Sequence, residues 1–522
     1  MPQSAQPDRA ASIFGNAVKP GDHAKALKNK QKYVRRFGDD TQEPYPLRAE
    51  AAPVIGDALG VRRLVAAEVA EAGDAVDKDR RDGGSSDILV SAPHPERSVF
   101  DLYAEAAAHG TGQPVVIGTI RMGFGHYRIA MAMASAAHAL GYTPYWFDLM
   151  GFKDTTASKI IASQNDLYSL GSRLSQKSKL FNAIVWEPMN YEGFRKLSYN
   201  ASDQKAAELM VRPFQDLPSD VPYVGTHAWT AQAAVHAGLT HVVNAIPDNW
   251  PMALHLAEGA VHAIQTPNSL LGYKMLRGMQ KGQVLQPMPA GSIVHTGHFI
   301  DHELVVNIDL DCEARIARRE AGEPLRFLFS IGGAGAQQRL CAQVIERVMP
   351  LVQAGEATLW INVGDHLDFW ESLERGIPSL ADATKHSSNF DDVSAFAAFA
   401  LEEQVEGVHA FYDADIFSAV YTTNLLMRAC DVLVTKPSEL AFYPVPKLMQ
   451  QRVGGHERWG AVTAAELGDG TYELETVDEI VACMELMARD PQVVCGMCER
   501  IMLQARIGTY DGAYNVIKLA IS

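Results

Sequence analysis

The sequence predicts an α/β protein, in which mostly parallel sheets carry helices on both faces. Short apolar runs rich in β-branched residues recur along the chain, and each is followed by a loop and then by a helix-forming segment. This order of elements starts at Pro114 and starts again at Leu325, so the chain contains two αβ halves. A length of 522 residues, at roughly 150 residues per domain, leaves room for both halves and for additional segments.

The composition is that of a globular protein without general affinity for nucleic acid. Apolar residues make up 47% of the chain and charged residues 21%, values near the globular average. Lys and Arg number 46 against 62 Asp and Glu, which gives a net charge of −16. Because a nucleic-acid-binding protein needs a basic face to replace phosphate counterions, we expect no nucleic-acid partner.

The sequence also predicts a cytoplasmic protein. Its first residues lack the apolar core of a secretory signal, and no stretch approaches the ~20 apolar residues of a membrane helix. The six cysteines are scattered over the C-terminal half, which is typical of reduced thiols. Cys495 and Cys498 form a CxxC pair without a second ligand pair, so we expect no metal there.

Residues 1–110 are predicted to form an N-terminal extension that is partly flexible. The polar run from Asp77 to Asp87 contains Gly and Ser, which is typical of a linker. A basic stretch precedes it and forms either a solvated helix face or a surface for anionic lipid headgroups or a partner. Its cations are Lys19, Lys25, Lys28, Lys30, Lys32, Arg35 and Arg36.

The first half, residues 111–305, opens with a strand, a glycine loop and a helix. Val115–Gly118 is the apolar run of a buried parallel strand. A loop of residues 121–126 follows, and an Ala- and Met-rich helix extends from Tyr127 to Leu140. Further strands of this half are predicted at Tyr142–Asp148, Pro222–Gly225, Thr240–Ile246 and Val261–Gln265.

The second half, residues 306–495, repeats the pattern and precedes a C-terminal helical tail at residues 496–522. Its first strand, Leu325–Ser330, leads into a glycine loop and then into an amphipathic helix from Gln338. Later strands are predicted at Thr358–Val363, Val408–Tyr412 and Asp431–Thr435. Ligands of such sheets bind at the carboxyl ends of the strands and between domains, so we expect a site in a cleft between the halves.

Both glycine loops have the features of an anion-binding turn. Glycines between a strand and a helix let the backbone approach a phosphate, and the unpaired N–H groups at the helix start favour negative charge. The loops contain Gly123 and Gly125 in the first half, and Gly332, Gly333, Ala334 and Gly335 in the second. Neither matches GxGxxG or GxxxxGK[ST], so a tight turn without a ligand remains the alternative for each.

Six motifs stand at strand ends in a fixed order between about residues 112 and 510. The first half has Gly123-Phe124-Gly125-His126, then Pro247-Asp248-Asn249-Trp250, then Thr296-Gly-His-Phe-Ile-Asp301. The second half has Gly332-Gly333-Ala334-Gly335, then Asp431-Val-Leu-Val-Thr435-Lys436-Pro-Ser438, then Gly454-Gly455-His456-Glu457. In these motifs the chain resembles the GT-B glycosyltransferases of the monogalactosyldiacylglycerol synthase, processive diacylglycerol glucosyltransferase and lipid II GlcNAc transferase group.

The chain departs from the pattern of this family at two places. Phe124 occupies the centre of a loop that is GGGH in the family and GFGH here. After Lys436 the family continues with a helix and a glutamate that binds the donor ribose, whereas three prolines shorten or remove that helix in this chain. The family position of the glutamate falls near Pro444, and Glu439 is the candidate that replaces it.

The resemblance implies a GT-B fold, in which two Rossmann-like domains face a cleft, here with an extra N-terminal segment. It implies a glycosyltransferase that moves a sugar from a nucleotide diphosphate, UDP in the simplest case, to an acceptor hydroxyl with inversion and without a metal or other cofactor. The acceptor is either soluble or lipid-linked. A lipid-linked acceptor would place the protein on the inner face of the membrane, with the basic and aromatic segment of residues 153–196 as the contact.

The resemblance also implies roles for individual residues. His126 would be the general base and Asp248 would orient or assist it, with a helix-capping histidine as the alternative for His126. The acceptor-side loop would be Gly123, Phe124 and Gly125. The donor would be bound by Gly332, Gly333, Ala334, Gly335, Lys436, Ser438, Glu439, His456 and Glu457.

Two other functions fit the same sequence. A nucleotide-sugar 2-epimerase or hydrolase of GT-B fold would turn over the nucleotide sugar with no acceptor present. A non-catalytic scaffold would bind a partner through residues 1–110 and show no turnover. The proline-rich stretch from Lys436 to Pro446 is the feature that most favours the scaffold.

Overall fold

The computed structural model describes residues 8–67, 100–177, 184, 186, 188–331, 337–387 and 389–522. In this part of the chain the strands form two large sheets and one small hairpin, Ser12–Ile13 (β1) with Asn16–Ala17 (β2). Helices cover both large sheets, and the two Rossmann-like domains that result face a cleft. The predicted α/β architecture of two such domains is therefore confirmed. The predicted linker at residues 77–87 lies outside the described residues.

The first domain is built on an eight-stranded sheet. Its strands are Leu47–Ala51 (β3), Arg62–Ala66 (β4), Pro114–Thr119 (β5), Thr143–Asp148 (β6), Tyr223–Gly225 (β7), Val242–Ala245 (β8), Val261–Ile264 (β9) and Ile293–His295 (β10). Across the sheet their order is β10-β9-β8-β7-β5-β6-β4-β3, and only β3 and β4 pair antiparallel. Every residue of β5 is buried, as expected for a central strand with helices on both faces.

Part of the predicted N-terminal extension belongs to this sheet. β4 pairs in parallel with β6, where Arg62 stands opposite Tyr145, and β3 forms the outer edge. Both strands carry charged residues among the apolar ones, which suits the side of a sheet that ends at an exposed edge. That mixture gives no continuous apolar run, so the sequence reading assigned no strand here.

The helices of the first domain alternate with its strands. They are Pro20–Phe37 (α1), Ile55–Leu59 (α2), Leu102–Ala108 (α3), Gly125–Ala139 (α4), Thr156–Lys177 (α5), Leu197–Ala207 (α6), Ala228–His236 (α7) and Pro267–Lys274 (α8). Short turns of other helical types occur at Met189–Gly193, Arg212–Phe214 and Ala253–His255. α4 is buried along most of its length because its small Ala side chains allow close packing on every side.

The second domain is built on a six-stranded sheet that is parallel throughout. Its strands are Leu325–Ser330 (β11), Ala357–Asn362 (β12), Thr384–Ser387 (β13), Val408–Tyr412 (β14), Val432–Thr435 (β15) and Lys447–Met449 (β16). Across the sheet their order is β13-β14-β12-β11-β15-β16. β11 stands at the centre, with β12 on one side and β15 on the other.

The helices of the second domain flank this sheet, and the last one returns to the first domain. They are His302–Val306 (α9), Ile308–Glu320 (α10), Gln338–Gln353 (α11), Leu367–Gly376 (α12), Phe390–Glu402 (α13), Ile416–Ala429 (α14), Arg458–Leu467 (α15), Val477–Arg489 (α16), Pro491–Arg506 (α17) and Gly512–Ile521 (α18). 3₁₀ turns stand at Pro378–Leu380, Glu439–Phe442 and Gly455–Glu457. α18 packs on α4.

One apolar cluster joins the two domains behind the cleft. It contains most of α4, Phe417 and Val420 of α14, and Val516 of α18. Arg128 of α4 crosses the same boundary, where its guanidinium donates to Asn424 Oδ1 at 2.7 Å. Because Arg128 is only 1% exposed, this bond forms in a dry environment and fixes α4 against α14.

Candidate functional site

The cleft brings together the points where each sheet reverses its strand order. In the first domain the chain leaves β5 for β6 on one side and resumes at β7 on the other. In the second domain β12 and β15 stand on opposite sides of β11 in the same way. The loops after these central strands open the crevice in which ligands of α/β sheets bind. A cavity of about 280 Å³, lined by both domains, occupies this place, and we call it the cleft cavity.

Two walls of the cleft cavity contain most of the residues that the sequence predicted. The first-domain wall consists of His126, His227 and Asp248. The second-domain wall consists of Lys436, Ser438, Glu439, His456 and Glu457. Gly123, Phe124 and Gly125 also line the cavity, so the structure places every described residue of the predicted set around one space.

His126 stands at the start of α4, directly beyond the carboxyl end of β5. Its Nδ1 lies 2.8 Å from the carbonyl oxygen of Thr226, and because a carbonyl only accepts, Nδ1 carries the hydrogen. The other nitrogen, Nε2, then has the lone pair of a base. Burial lowers the pKa of His126 below its usual value of 6.5, and its partners offset this only in part. The ring is therefore neutral at pH 7.

His227 holds the opposite tautomer beside it. The backbone N–H of Trp229 donates to its Nδ1 at 3.1 Å, so the hydrogen of the neutral ring is on Nε2. Burial, with a smaller effect of His126, places the pKa of His227 well below 6.5. The two rings meet edge to face at 4.6 Å between centroids. His126 therefore offers an acceptor nitrogen to the cavity, and its neighbour His227 offers a donor N–H.

The sequence reading did not single out His227, although a signal was present. It follows the buried strand β7 within two residues, and it caps the next helix. Polar residues directly after the carboxyl ends of central parallel strands are the positions at which ligands are contacted. Applied to every predicted strand of the sequence, this rule identifies His227.

Asp248 is the ionised group of the first-domain wall. It accepts a hydrogen bond from Nε2 of His255 at 2.9 Å, and Nε2 of His456 in the second domain lies 3.7 Å from its other oxygen. Burial alone would raise the pKa of Asp248, but His456 and His255 more than offset this and hold it below the usual range. The carboxylate therefore stays charged at neutral pH between two imidazoles from different domains.

The loop that carries Asp248 is fixed across the cleft. Trp250 stacks between two aromatic rings, Tyr191 at 4.7 Å and Trp459 of the second domain at 5.3 Å between centroids. Next to it, Nδ2 of Asn249 donates to the hydroxyl of Thr463 at 2.6 Å. The position of Asp248 thus depends on α15 of the second domain.

The predicted acceptor-side loop also reaches the second domain. The ring of Phe124 is buried against Gly364, where any side chain would overlap it, and Gly364 has φ +62°. Beside it, Arg121 forms an ion pair with Asp365. The phenylalanine that departs from the GGGH pattern of the resembled family therefore closes one side of the cavity against the other domain. Gly125 contacts the carboxylate of Glu439.

The second-domain wall is built around an ion pair. Lys436 follows β15 directly, and its ammonium group bonds to Glu457. Glu457 also accepts the backbone N–H groups of Val453, at 2.7 Å, and Gly454. Burial alone would raise the pKa of Glu457, but Lys436 and His456 hold it below its usual range. The positive charge of Lys436 is thus already neutralised by Glu457, whose carboxylate also accepts two backbone hydrogen bonds.

Glu439 stands in a 3₁₀ turn where the resembled family has a helix. The turn spans Glu439–Phe442, and the backbone N–H of Ser438 before it donates to the carbonyl of Lys436 at 2.8 Å. The carboxylate of Glu439 lies 3.7 Å from Nε of Arg128, so its nearest charged partner is on α4 of the first domain. Arg128 was not predicted as a site residue. An arginine within an otherwise small and apolar helix was the available signal.

Part of the predicted donor site cannot be placed. Gly332, Gly333, Ala334 and Gly335 lie outside the described residues, whereas Ser330 and Ile331 before them and Gln337 after them line the cleft cavity. Among the described residues, no group of three or more His, Cys, Asp or Glu side chains is arranged to hold a metal ion. No helix within the same residues is long and apolar enough to cross a membrane.

Two family models match successive parts of the chain. The family model described as "Domain of unknown function (DUF6937)" matches residues 12–275, and the one described as "Domain of unknown function (DUF6938)" matches residues 288–521. The first model thus lies within the first domain, and the second contains the second domain together with β10 of the first-domain sheet. The comparison with curated proteins gives no match.

Several solved structures resemble the chain at low identity. A crystal structure of UDP-GlcNAc 2-epimerase from Neisseria meningitidis bound to UDP-GlcNAc is 11% identical with a TM-score of 0.43, over 78% of this chain and 98% of that one. The α,α-trehalose 6-phosphate synthase from Burkholderia multivorans is 12% identical with a TM-score of 0.38, over 77% and 96%.

Proposed function

We propose that this chain, which belongs to the family described as "Domain of unknown function (DUF6937)", transfers a sugar from a nucleotide diphosphate to an acceptor hydroxyl in its cleft cavity. One observation carries the proposal. A neutral His126 and an ionised Asp248 face a cation-bearing wall across one cavity at the switch points of two parallel sheets. We take UDP as the nucleotide because it is the simplest donor that the sequence resemblance implies.

The first-domain wall supplies the acid–base part of the reaction. Nε2 of His126 takes the proton of the acceptor hydroxyl while the acceptor oxygen forms its bond to the anomeric carbon. The bond from that carbon to the diphosphate breaks, and its electron pair leaves with the nucleotide. The proton stays on His126, where the charge of Asp248 favours the imidazolium form. Inversion at the anomeric carbon follows from this single displacement.

The second-domain wall supplies the place for the leaving group. Lys436 and His456 bring positive or polar N–H groups to the cavity, and the sequence predicts a glycine loop at residues 332–336, shortly after β11 along the chain. Charge that develops on the diphosphate is stabilised by such donors without a metal. Glu439 and Glu457 remain the candidates for bonds to hydroxyls of the donor.

The test is UDP release from a panel of UDP-sugars, with and without a panel of hydroxyl acceptors. The proposal predicts release that depends on an acceptor and that His126→Ala abolishes. His241→Ala is the matched control, because His241 is an exposed histidine of the same domain outside the cavity. No binding of UDP or of any UDP-sugar by the wild-type chain would refute the proposal.

A second candidate reaction is favoured by the paired imidazoles. An acceptor nitrogen on His126 beside a donor nitrogen on His227 is suited to moving a proton off and onto the same sugar, as an epimerase requires. Because the product of an epimerase is still a UDP-sugar, the nucleotide sugar is also identified by NMR after each reaction, and this separates the two reactions. Turnover of the nucleotide sugar without any acceptor would assign an epimerase or hydrolase to the cleft in place of a transferase.

A further inference from the structure

The start of α4 has the features of an anion-binding position at the boundary of the two domains. Its first residues, Gly125 and His126, line the cleft cavity, and Phe124 before them provides no side-chain cap. The N–H groups in the first turn of a helix have no partner within the helix, and together with the helix dipole they favour a negative charge. Arg128, in the next turn, adds a cation to this position.

Arg128 is a buried cation with one N–H group that its neighbours leave unused. Its terminal nitrogens donate to neutral acceptors, namely Oδ1 of Asn424 at 2.7 Å, and the hydroxyl of Thr423 and the carbonyl of Val420 at 3.3 Å. Nε of Arg128 has no hydrogen-bond partner within the described part of the chain, although the side chain is only 1% exposed. Because an unpaired ion is costly to bury, this guanidinium requires a counter-charge.

Glu439 supplies that counter-charge from the second domain. Its Oε1 lies 3.7 Å from Nε of Arg128, and its Oε2 is so close to Gly125 that any side chain at that position would overlap it. The carboxylate therefore lies at the helix start and beside the cation. The carboxyl group of Asp301 is a weaker partner, because burial raises its pKa to about 7 and leaves it only partly ionised at neutral pH.

The lining of the cleft cavity carries more negative than positive charge. Apart from the histidines, its described ionisable residues are the acids Asp248, Glu439 and Glu457 and one base, Lys436. Lys436 is bonded to Glu457, and Arg128 behind the lining faces Glu439. A ligand that brought a second anionic group besides the donor diphosphate would therefore meet cations that already have a carboxylate beside them.

We propose that Glu439 is a built-in anion that fills the start of α4, so that the cleft takes an uncharged hydroxyl compound as the acceptor and rejects a phosphorylated one. A hydroxyl group can donate a hydrogen bond to the carboxylate, whereas a phosphate is repelled by it. The built-in anion depends only on the position of Glu439. The choice of acceptor rests in addition on the proposed function of the cleft.

The built-in anion is tested by replacing it with a small carboxylate from solution. Glu439→Ala removes the carboxylate and leaves space beside Arg128, so the Tm of the full chain should fall by several degrees. Sodium formate should restore at least half of that loss, because it binds the folded variant, and sodium chloride at the same ionic strength should not. Formate should stabilise neither the wild type nor Glu402→Ala, which removes an exposed acid of α13 outside the cavity.

A second variant keeps this test decisive. Glu439→Gln retains the shape of the side chain and removes its charge, so its Tm should also fall, and formate, which has no space there, should not restore it. The built-in anion is overturned if Glu439→Ala is as stable as the wild type, or if formate restores it no better than chloride. If Glu439→Ala does not fold, a Tm of Glu439→Gln equal to that of the wild type overturns it.

The choice of acceptor is tested with pairs of compounds that differ by one phosphate. The UDP-release assay compares D-glucose with glucose 6-phosphate, N-acetylglucosamine with its 6-phosphate, and glycerol with glycerol 3-phosphate. We expect kcat/KM to be at least about tenfold higher for the neutral member of an active pair, and Glu439→Ala to narrow that ratio. A wild type that prefers the phosphorylated member would overturn the choice of acceptor. Rescue by formate without turnover of any UDP-sugar would refute the proposed function and the acceptor, and would leave the built-in anion confirmed.

Discussion

The first-domain wall of the cleft holds His126 and His227 as neutral rings, whereas the second-domain wall holds Lys436 and Glu457 as an ion pair. Both walls stand at the carboxyl ends of central parallel strands. The topology is thus the same on both sides, and the difference comes from what surrounds each side chain. Burial outweighs the nearby charge of Asp248 and keeps the imidazoles neutral, and a paired carboxylate keeps the lysine charged.

This difference separates two kinds of chemistry. A neutral ring with a fixed tautomer can accept a proton at pH 7, and its hydrogen bond to the backbone of Thr226 decides which nitrogen does so. The ammonium group of Lys436 can help to bind an anion. Because Glu457 is already bonded to it, the anion and this carboxylate share its positive charge. We therefore assign proton transfer to the first-domain wall and donor binding to the second.

Replacing the base should have the largest effect. His126→Ala should lower kcat by about 10²–10⁴-fold, because general-base catalysis is lost, and should leave the affinity for UDP nearly unchanged. In the wild type the acid limb of the pH–rate profile should lie below pH 6.5, since the pKa of His126 is lowered. The variant should lose that limb. A rate within a few-fold of the wild type would exclude His126 as the base.

Removing the lysine should have the next largest effect, and on a different quantity. Lys436→Met takes away a charged donor, so the Kd for UDP should rise by about 10–100-fold, the equivalent of one charged hydrogen bond. At saturating donor the kcat should change much less. Calorimetric titration gives the Kd, and Lys385→Met, on a strand of the second domain outside the cavity, is the matched control. An equal Kd for UDP in Lys436→Met and in the control would contradict a role of Lys436 in donor binding.

The ionised acid of the first-domain wall should add stability that depends on pH. The pKa of Asp248 is lowered on folding, so its contribution is present above its unfolded pKa of about 3.9 and is lost as the pH falls below that value. Asp248→Asn should therefore unfold at a Tm a few degrees lower at pH 7, for a loss of about 1–3 kcal/mol. The difference should shrink toward pH 3. A Tm gap that does not depend on pH would contradict this account.

Asp203 of α6 gives the opposite dependence of stability on pH. Its pKa is raised to about 8 by burial, so the cost of ionising it grows as the pH rises from its unfolded value to about 8. Asp203→Asn should accordingly be more stable than the wild type above pH 8, by about 1–3 kcal/mol, and equal to it below about pH 4. Thermal unfolding across that range measures the gap. A variant less stable than the wild type at high pH would show that the carboxyl has a partner when ionised.

The central units of both domains were predictable because their strands are buried on both faces. β5 is a continuous apolar run and β11 is apolar apart from Arg326 and Ser330, and Gly-containing loops and helix-forming segments follow both in the sequence. The outer strands β3 and β4 were not predictable in this way. Each has one buried residue among partly or fully exposed ones, and the pairing of β4 with β6 and of β3 with β4 makes them strands.

The candidate site was predictable only in part, for a physical reason. His126, Asp248 and Lys436 each follow a recognisable strand, so position along the chain indicates them. The ion pair of Glu457 with Lys436, and the contact of Phe124 with Gly364, join segments that are far apart in sequence. Such pairs form only when distant segments pack together, within one domain or between the two, and no local sequence pattern indicates them.

The division of labour between the two walls is tested most directly by locating bound UDP. Hydrogen–deuterium exchange of the full chain, measured with and without UDP, reports protection segment by segment. We predict the largest protection at residues 436–442 and 453–460 of the second domain, and little at residues 20–37, which stand outside the cleft cavity. Protection confined to the first domain, or none in either domain, would contradict the account.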